Sequence, residues 1–222
     1  MDTIVIKIGG SLALYPKKLK DLCRKLSEAT KKHNIIVVPG GGEFADLVRA
    51  VDKRFSLSDS VSHRMAILAM DQYGFLLSDL IENSQVINQL EQVQEMFESG
   101  KLPVFLTSNF MMSNDPLENS WSVTSDSIAV YIANQLNVNK VVLVTDVDGI
   151  FTVDPKKLLE TQLISEISAK RLEALNKRTS VDIFLPKLLL KMPIKCYVVN
   201  GLFSERVEDI LDGRNAVCTL IN

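Results

Sequence analysis

Twice within the first 42 residues, a short β-branched strand runs straight into glycines and then into a helical pattern. Ile4-Val5-Ile6-Lys7-Ile8 leads to Gly9-Gly10-Ser11, and Ile35-Ile36-Val37-Val38 leads to Pro39-Gly40-Gly41-Gly42. The second run is apolar throughout, and the first is broken only by Lys7. Such runs belong to strands covered on both faces of a parallel sheet. Two strand–turn–helix units of this kind predict an α/β fold with both glycine turns on one rim, at the carboxyl ends of their strands. Glycine has no Cβ, so backbone amides there can approach a phosphate closely. Lys7 adds a positive charge on a flexible stem. Either turn alone is equally a tight turn closing a buried strand.

The rest of the chain extends the pattern. Leu19, Leu22, Leu26 and Ala29 predict a helix over 16–33, and Phe44, Leu47, Val48 and Val51 place one face of the next helix in the core. A long helix over about 60–83 follows, with Val61, Met65, Leu68, Ala69, Leu76 and Leu80 along it. Its start carries His63 and Arg64, which fit a solvated helix end or an anion contact. Segments 86–87, 102–106, 141–144, 194–199 and 216–221 read as strands, 163–167 as extended, and 91–98, 168–175 and 203–211 as helices. The stretch 109–122 reads as loop, with Trp121 either covering a site or plugging the loop onto the core. Thr124-Ser125-Asp126 opens a helix and suits a cap. After the 141–144 strand comes Thr145-Asp146-Val147-Asp148-Gly149-Ile150-Phe151, an acidic loop where α/β sheets bind ligands. No repeat or linker composition divides the chain, so a single domain over 1–222 is expected.

Composition excludes several classes. The formal net charge of −2 supplies no basic field for nucleic acid. No apolar run is long enough for a membrane span, and the start does not read as a signal peptide. Cys23, Cys196 and Cys218 are widely spaced and odd in number, which fits reduced core thiols in a cytoplasmic protein. Neither glycine turn matches the GxGxxG of nicotinamide enzymes.

Taken in order, KIGGS, VVPGGG, VTSDSIA and LVTDVDGIFTVDP resemble the amino acid kinase family over essentially the whole chain. The resemblance implies a three-layer α/β/α sandwich around a mainly parallel sheet, and phosphoryl transfer from ATP with Mg2+. It implies that Lys7 supports the transferred group, that Gly9, Gly10 and Ser11 cradle phosphate, and that Gly40, Gly41 and Gly42 lie beside the acceptor. Asp126 would orient two lysines, and Thr145, Asp146, Gly149, Ile150, Phe151, Asp154 and Pro155 would bind the nucleotide. The family's second lysine follows a Gly-Gly-Met turn. Here Val181-Asp182-Ile183-Phe184-Leu185-Pro186-Lys187 stands instead, making Lys187 the candidate. VDIFLPKLL, NSWSVTSDSIAVYIA and HRMAILAMDQYG resemble the kinases of methanofuran synthesis, which carry an aminomethylfuran-methyl phosphate to its diphosphate. Trp121, Thr124 and Ser125 would then lie over the acceptor, with His63 at its phosphate. Uridylate and isopentenyl phosphate kinases share the four motifs, and the same fold also serves non-catalytic nucleotide or oxyanion binders. The resemblance further implies a small phosphorylated substrate and a homo-oligomer, with an apolar helix face over 66–80 as the contact.

Overall fold

In a computed structural model, which describes residues 2–114, 116–153 and 161–222, the two glycine-turn strands are hydrogen-bonded neighbours inside one sheet. Among the described residues the strands are β1 (Thr3–Ile8), β2 (Asn34–Pro39), β3 (Ser84–Ile87), β4 (Leu102–Phe105), β5 (Lys140–Thr145), β6 (Ile150–Phe151), β7 (Leu163–Ile164), β8 (Glu166–Ile167), β9 (Lys195–Asn200) and β10 (Cys218–Ile221). The helices are α1 (Pro16–Ala29), α2 (Gly42–Phe55), α3 (Asp59–Leu80), α4 (Gln92–Glu98), α5 (Thr107–Asn114), α6 (Ser125–Gln135), α7 (Ala169–Ala174), α8 (Leu185–Leu189) and α9 (Ser204–Leu211). The main sheet runs β3-β4-β2-β1-β5-β9-β10-β8, with β6 and β7 as a separate pair. All of its pairings are parallel except β9 with β10.

The sheet is mainly parallel because its strands are apolar on both faces, and helices cover both. Ile4, Ile6, Ile8, Ile35, Val37, Val142 and Val144 pack with residues of α1, α3 and α9. Val5, Ile36, Val38, Val141 and Leu143 pack with Ile128, Ala129, Ile132 and Ala133 of α6 and with α8. The result is a three-layer α/β/α sandwich, as expected. Register puts Ile8 beside Pro39 of β2 and Val144 of β5, and Thr145 beside Asn200 of β9. Strands β1, β2, β5 and β9 therefore end together, on one rim.

Three elements differ from expectation. Helix α1 ends at Ala29, where Thr30 turns its hydroxyl back onto the Ser27 carbonyl at 2.7 Å. The stretch 109–122 starts as helix α5, because the Asp71 carboxylate accepts the Thr107 and Ser108 amides at 2.7 and 3.3 Å and so caps it from α3. On α2 the buried face carries Ala45 and Val48, whereas Phe44 and Leu47 are exposed. A Cβ on Gly41 would lie 2.4 Å from that of Ala45, so the turn packs closely on this face.

Candidate active site

Alternation along β1 decides where Lys7 goes. Ile4, Ile6 and Ile8 face α1 and α3, so Lys7 shares the opposite face with Val5, beneath α6. There its Nζ meets Asp126 Oδ1 at 2.6 Å, with both side chains more than nine-tenths buried. Lys7 and Asp126 form the floor of a cleft of about 700 Å3 above the rim where β1, β2 and β5 end.

Two glycine corners wall this floor, and they are built against each other. A Cβ on Gly10 would overlap the Gly42 backbone nitrogen, and one on Gly42 would lie 2.9 Å from the Gly10 carbonyl oxygen. Gly42 also sits at φ +51°, a region glycine enters without strain. The turns are glycine-rich first because their backbones touch. Gly9 and Gly40 use their amides to extend the sheet, donating to the Val144 and Ile8 carbonyls at 2.7 and 2.8 Å. Gly9, Gly10, Ser11, Gly41 and Gly42 line the cleft. Gly40 does not; it holds the corner.

Beyond β5, Asp146 accepts the Ser11 hydroxyl at 3.1 Å and the Thr145 hydroxyl at 3.3 Å, tying the first glycine turn to this loop. Thr145, Asp146, Gly149 and Phe151 line the cleft. Asp148 turns away, to Arg206 at 2.7 Å and Asn200 at 2.9 Å. Ile150 is wholly buried outside the cleft, and its amide donates to Thr219 Oγ1 at 2.8 Å. Asp154 and Pro155 lie outside the described residues.

Opposite, α2 and α3 supply Asp46, Arg49 and His63. His63 is buried, so it is a wall of the cleft and not a solvated helix end, whereas Arg64 is exposed. The Arg49 guanidinium bonds Asp46 at 2.7 Å and lies 4.7 Å from the centre of the Trp121 ring. Trp121 in turn donates its indole N–H to Asp52 at 2.8 Å. Trp121, Thr124 and Ser125 complete this side of the cleft.

Asp182 organises the floor without reaching the cleft. One carboxylate oxygen accepts the Thr124 amide and hydroxyl, both at 2.9 Å, and the Ser127 amide at 3.1 Å. The other accepts the Ser127 hydroxyl at 2.7 Å and the Phe184 and Leu185 amides at 3.1 and 2.8 Å. One carboxylate thus caps α6 and α8 together. Its own amide donates to Asp126 Oδ2 at 3.1 Å, leaving Oδ1 for Lys7. Burial first, then the Asp126 charge, push the Asp182 pKa up, and these donors oppose that rise. Thr124 is therefore no ordinary cap: its hydroxyl serves Asp182.

Lys187 does not line the cleft. It lies on α8 beside a small depression that shares Lys177 and Thr179 with the cleft wall, with its Nζ 5.7 Å from the Phe184 ring centre. The Asp182 cap fixes where α8 begins and so fixes this position. The cations that do line the cleft from the α7–α8 loop are Lys177 and Arg178. Sequence reasoning missed these two, together with Arg49 and Asp182. Arg49 was signalled by spacing, since Gly42, Asp46 and Arg49 share one helix face. Asp182 was signalled by a lone charge in the apolar run Val181–Leu185.

Comparison with known proteins shows what the chain as a whole is similar to. A family model described as "Amino acid kinase family" matches residues 2–200. The [5-(aminomethyl)furan-3-yl]methyl phosphate kinase of Methanocaldococcus jannaschii is 38% identical over 217 residues, covering 98% of this chain and 96% of that protein. The uridylate kinase of Pyrococcus abyssi is 25% identical over 233 residues, covering 98% of each chain. Among solved structures, uridylate kinase from Archaeoglobus fulgidus superposes with a TM-score of 0.78 at 19% identity over 100% of both chains. UMP kinase from Ureaplasma parvum gives 0.79 at 19% identity, over 100% of this chain and 98% of that one. At such identity the superpositions speak to the fold.

Proposed function

Because this chain belongs to the amino acid kinase family, we propose that it transfers the γ-phosphoryl group of ATP to the phosphate of a small phosphorylated acceptor. The acceptor we infer is [5-(aminomethyl)furan-3-yl]methyl phosphate, on which the 38%-identical relative acts, and the setting is the cytoplasm. The observation that carries the proposal is the buried Lys7–Asp126 pair on a cleft floor between two interlocked glycine turns. An aromatic acceptor is favoured by the Trp121 ring, held in the cleft wall by Asp52 and stacked by Arg49.

In the transfer, one non-bridging oxygen of the acceptor phosphate bonds to the γ-phosphorus as the bond to the β–γ bridging oxygen breaks. The products are ADP and a diphosphate. The attacking oxygen is already ionised, so no proton moves and no general base is required. His33, one of the chain's two histidines, is bound to Asp212 at 2.9 Å just before β2 begins, at the end away from the rim, and does not line the cleft. The protein's task is placement and charge neutralisation. Lys7 carries positive charge to the moving group, and Asp126 holds it there. Gly10, Gly41 and Gly42 present backbone without Cβ obstruction, Ser11 adds its backbone to the first turn, and His63, Thr124 and Ser125 line the acceptor end. Mg2+ would arrive with the nucleotide rather than on a protein cage, and would supply charge neutralisation at its phosphates. Among the described residues no group of three or more His, Cys, Asp and Glu side chains forms a cage for it. We further propose that the chain works as a homo-oligomer through the exposed apolar faces of α2 and α3.

The test is a panel of acceptors with ATP and Mg2+, followed by phosphorus NMR. The furan phosphate should give a diphosphate doublet pair faster than UMP or isopentenyl phosphate. Faster turnover of UMP would make the chain a uridylate kinase, and ATP binding with no product from any acceptor would make it a binder.

A further inference from the structure

Two phosphates brought together for transfer concentrate more negative charge than one lysine offsets, and the transition state spreads charge over three equatorial oxygens. Lys7 is already engaged by Asp126, and Arg49 by Asp46. Lys177 and Arg178 also line the cleft, and among the described residues neither has an ion-pair or hydrogen-bond partner for its side chain. Next to them, Ser180 contributes to the same wall, and its hydroxyl oxygen is buried with no hydrogen-bond partner. A buried hydroxyl without a partner is unusual in a folded protein, and a phosphate oxygen would satisfy it.

The loop is aimed, not merely exposed. Asn176 takes a left-handed conformation at φ +44°, which stops α7 and turns the chain towards the cleft. Buried Val181 anchors the far end, and Asp182 then ties the chain through its amide to Asp126. The loop is thereby coupled to the carboxylate that holds Lys7. It joins α7 to α8, which packs on α6, whereas Arg49 and His63 come from α2 and α3, which pack on each other.

We propose that residues 177–180 form the donor-phosphate arm of the site. Arg178 and Lys177 bind the β- and γ-phosphates of a nucleoside triphosphate, the Ser180 hydroxyl donates to one of their oxygens, and Lys187 takes no part. The inference rests on the kinase reading above. A guanidinium suits the task, since its planar fork meets two phosphate oxygens at once.

The test measures binding of a non-hydrolysable ATP analogue with Mg2+, and of AMP, by calorimetry, so no acceptor is needed. Arg178→Ala combined with Lys177→Ala should weaken the analogue about tenfold or more. AMP affinity and melting temperature should stay as in the wild type, and Arg178→Lys should recover part of the loss. Ser180→Ala should weaken the analogue by a smaller factor, and Lys187→Ala less than the double variant. The proposal is overturned if the double variant binds the analogue normally. It is equally overturned if AMP is weakened as much, or if Lys187→Ala is the more damaging change. If the wild type phosphorylates none of the acceptors while the loop variants still lose the analogue, the acceptor reading fails and the phosphate arm stands.

Discussion

Lys7 and Asp126 put two demands on one pair of atoms. A buried ion pair is costly to desolvate, and removing one partner typically costs about 3–5 kcal/mol because the other charge is left stranded. Lys7→Met should therefore lower both stability and turnover, turnover by roughly a hundredfold or more if the charge acts on the moving phosphoryl group. Adding Asp126→Asn should restore much of the melting temperature and none of the rate. Thermal melts and steady-state kinetics on the two single variants and the double variant check this; parallel recovery of stability and rate would remove Lys7 from the chemistry. The glycines separate the same way. Gly10 has no room for a Cβ beside Gly42, so Gly10→Ala should force the two turns apart. We expect a lower melting temperature and weakened nucleotide binding together, read by melts and calorimetry.

Among the elements, distant carboxylates act where local caps are missing. Asp71 bonds amides 36 and 37 positions away to begin α5, and Asp182 bonds Thr124 and Ser127, 58 and 55 positions away, to begin α6. Asp71→Ala should cost about 1–2 kcal/mol, seen as a lower urea midpoint with an unchanged slope. These links also explain what could be read from sequence. Strands β1, β2, β5 and β9 are legible because each is a short apolar run, and Lys7 and Asp126 because each sits in a local motif. Helix α5 is not legible, since its cap lies on another helix; nor is the displacement of Lys187, since the residue that sets where α8 begins also bonds α6. A third carboxylate ties elements through charge. Asp212, which caps the end of α9, bonds His33 at 2.9 Å and Arg214 at 2.6 Å. The His33 hydrogen bond first, then that from Arg214, lower its pKa from 3.8 to about 2. A lowered carboxylate pKa stabilises the fold above the ordinary value, and that contribution is lost as pH falls from about 4 towards 2. Asp212→Asn should melt lower than wild type at pH 7, and the gap should close on acidification through that window. A gap independent of pH would show that the charge of Asp212 is not what matters.

In the molecule as a whole, apolar surface is not spread evenly. Among the described residues 15 large apolar side chains are exposed, and seven of them lie on two adjacent helices: Phe44, Leu47 and Phe55 on α2, and Val61, Leu68, Phe75 and Leu76 on α3. Helix α3 buries Ile67, Met70, Tyr73 and Leu77 on its other face, so it carries apolar residues on both faces, with Arg64, Gln72 and Asp79 interspersed on the exposed one. A helix of that kind is ordinarily covered on both sides, and an exposed concentration of this sort marks a contact surface. In the homo-oligomer proposed above, a second copy of the chain would cover it with the same surface from both partners, as a two-fold axis requires. The consequence reaches the site, because α2 begins at Gly42 and carries Asp46 and Arg49 into the cleft, and α3 carries His63. A copy seated on their outer faces would brace the acceptor side and leave the 177–180 loop untouched. Leu47, 66% exposed, and Phe75, 58% exposed, are the residues to charge. Leu47→Glu and Phe75→Asp should each halve the mass seen by light scattering at micromolar concentration. They should raise KM for the acceptor several-fold with little change for ATP. A wild type that is monomeric at that concentration, or variants of unchanged mass, would leave the α2–α3 face without its partner; an equal rise in both KM values would show that the brace acts on the whole cleft.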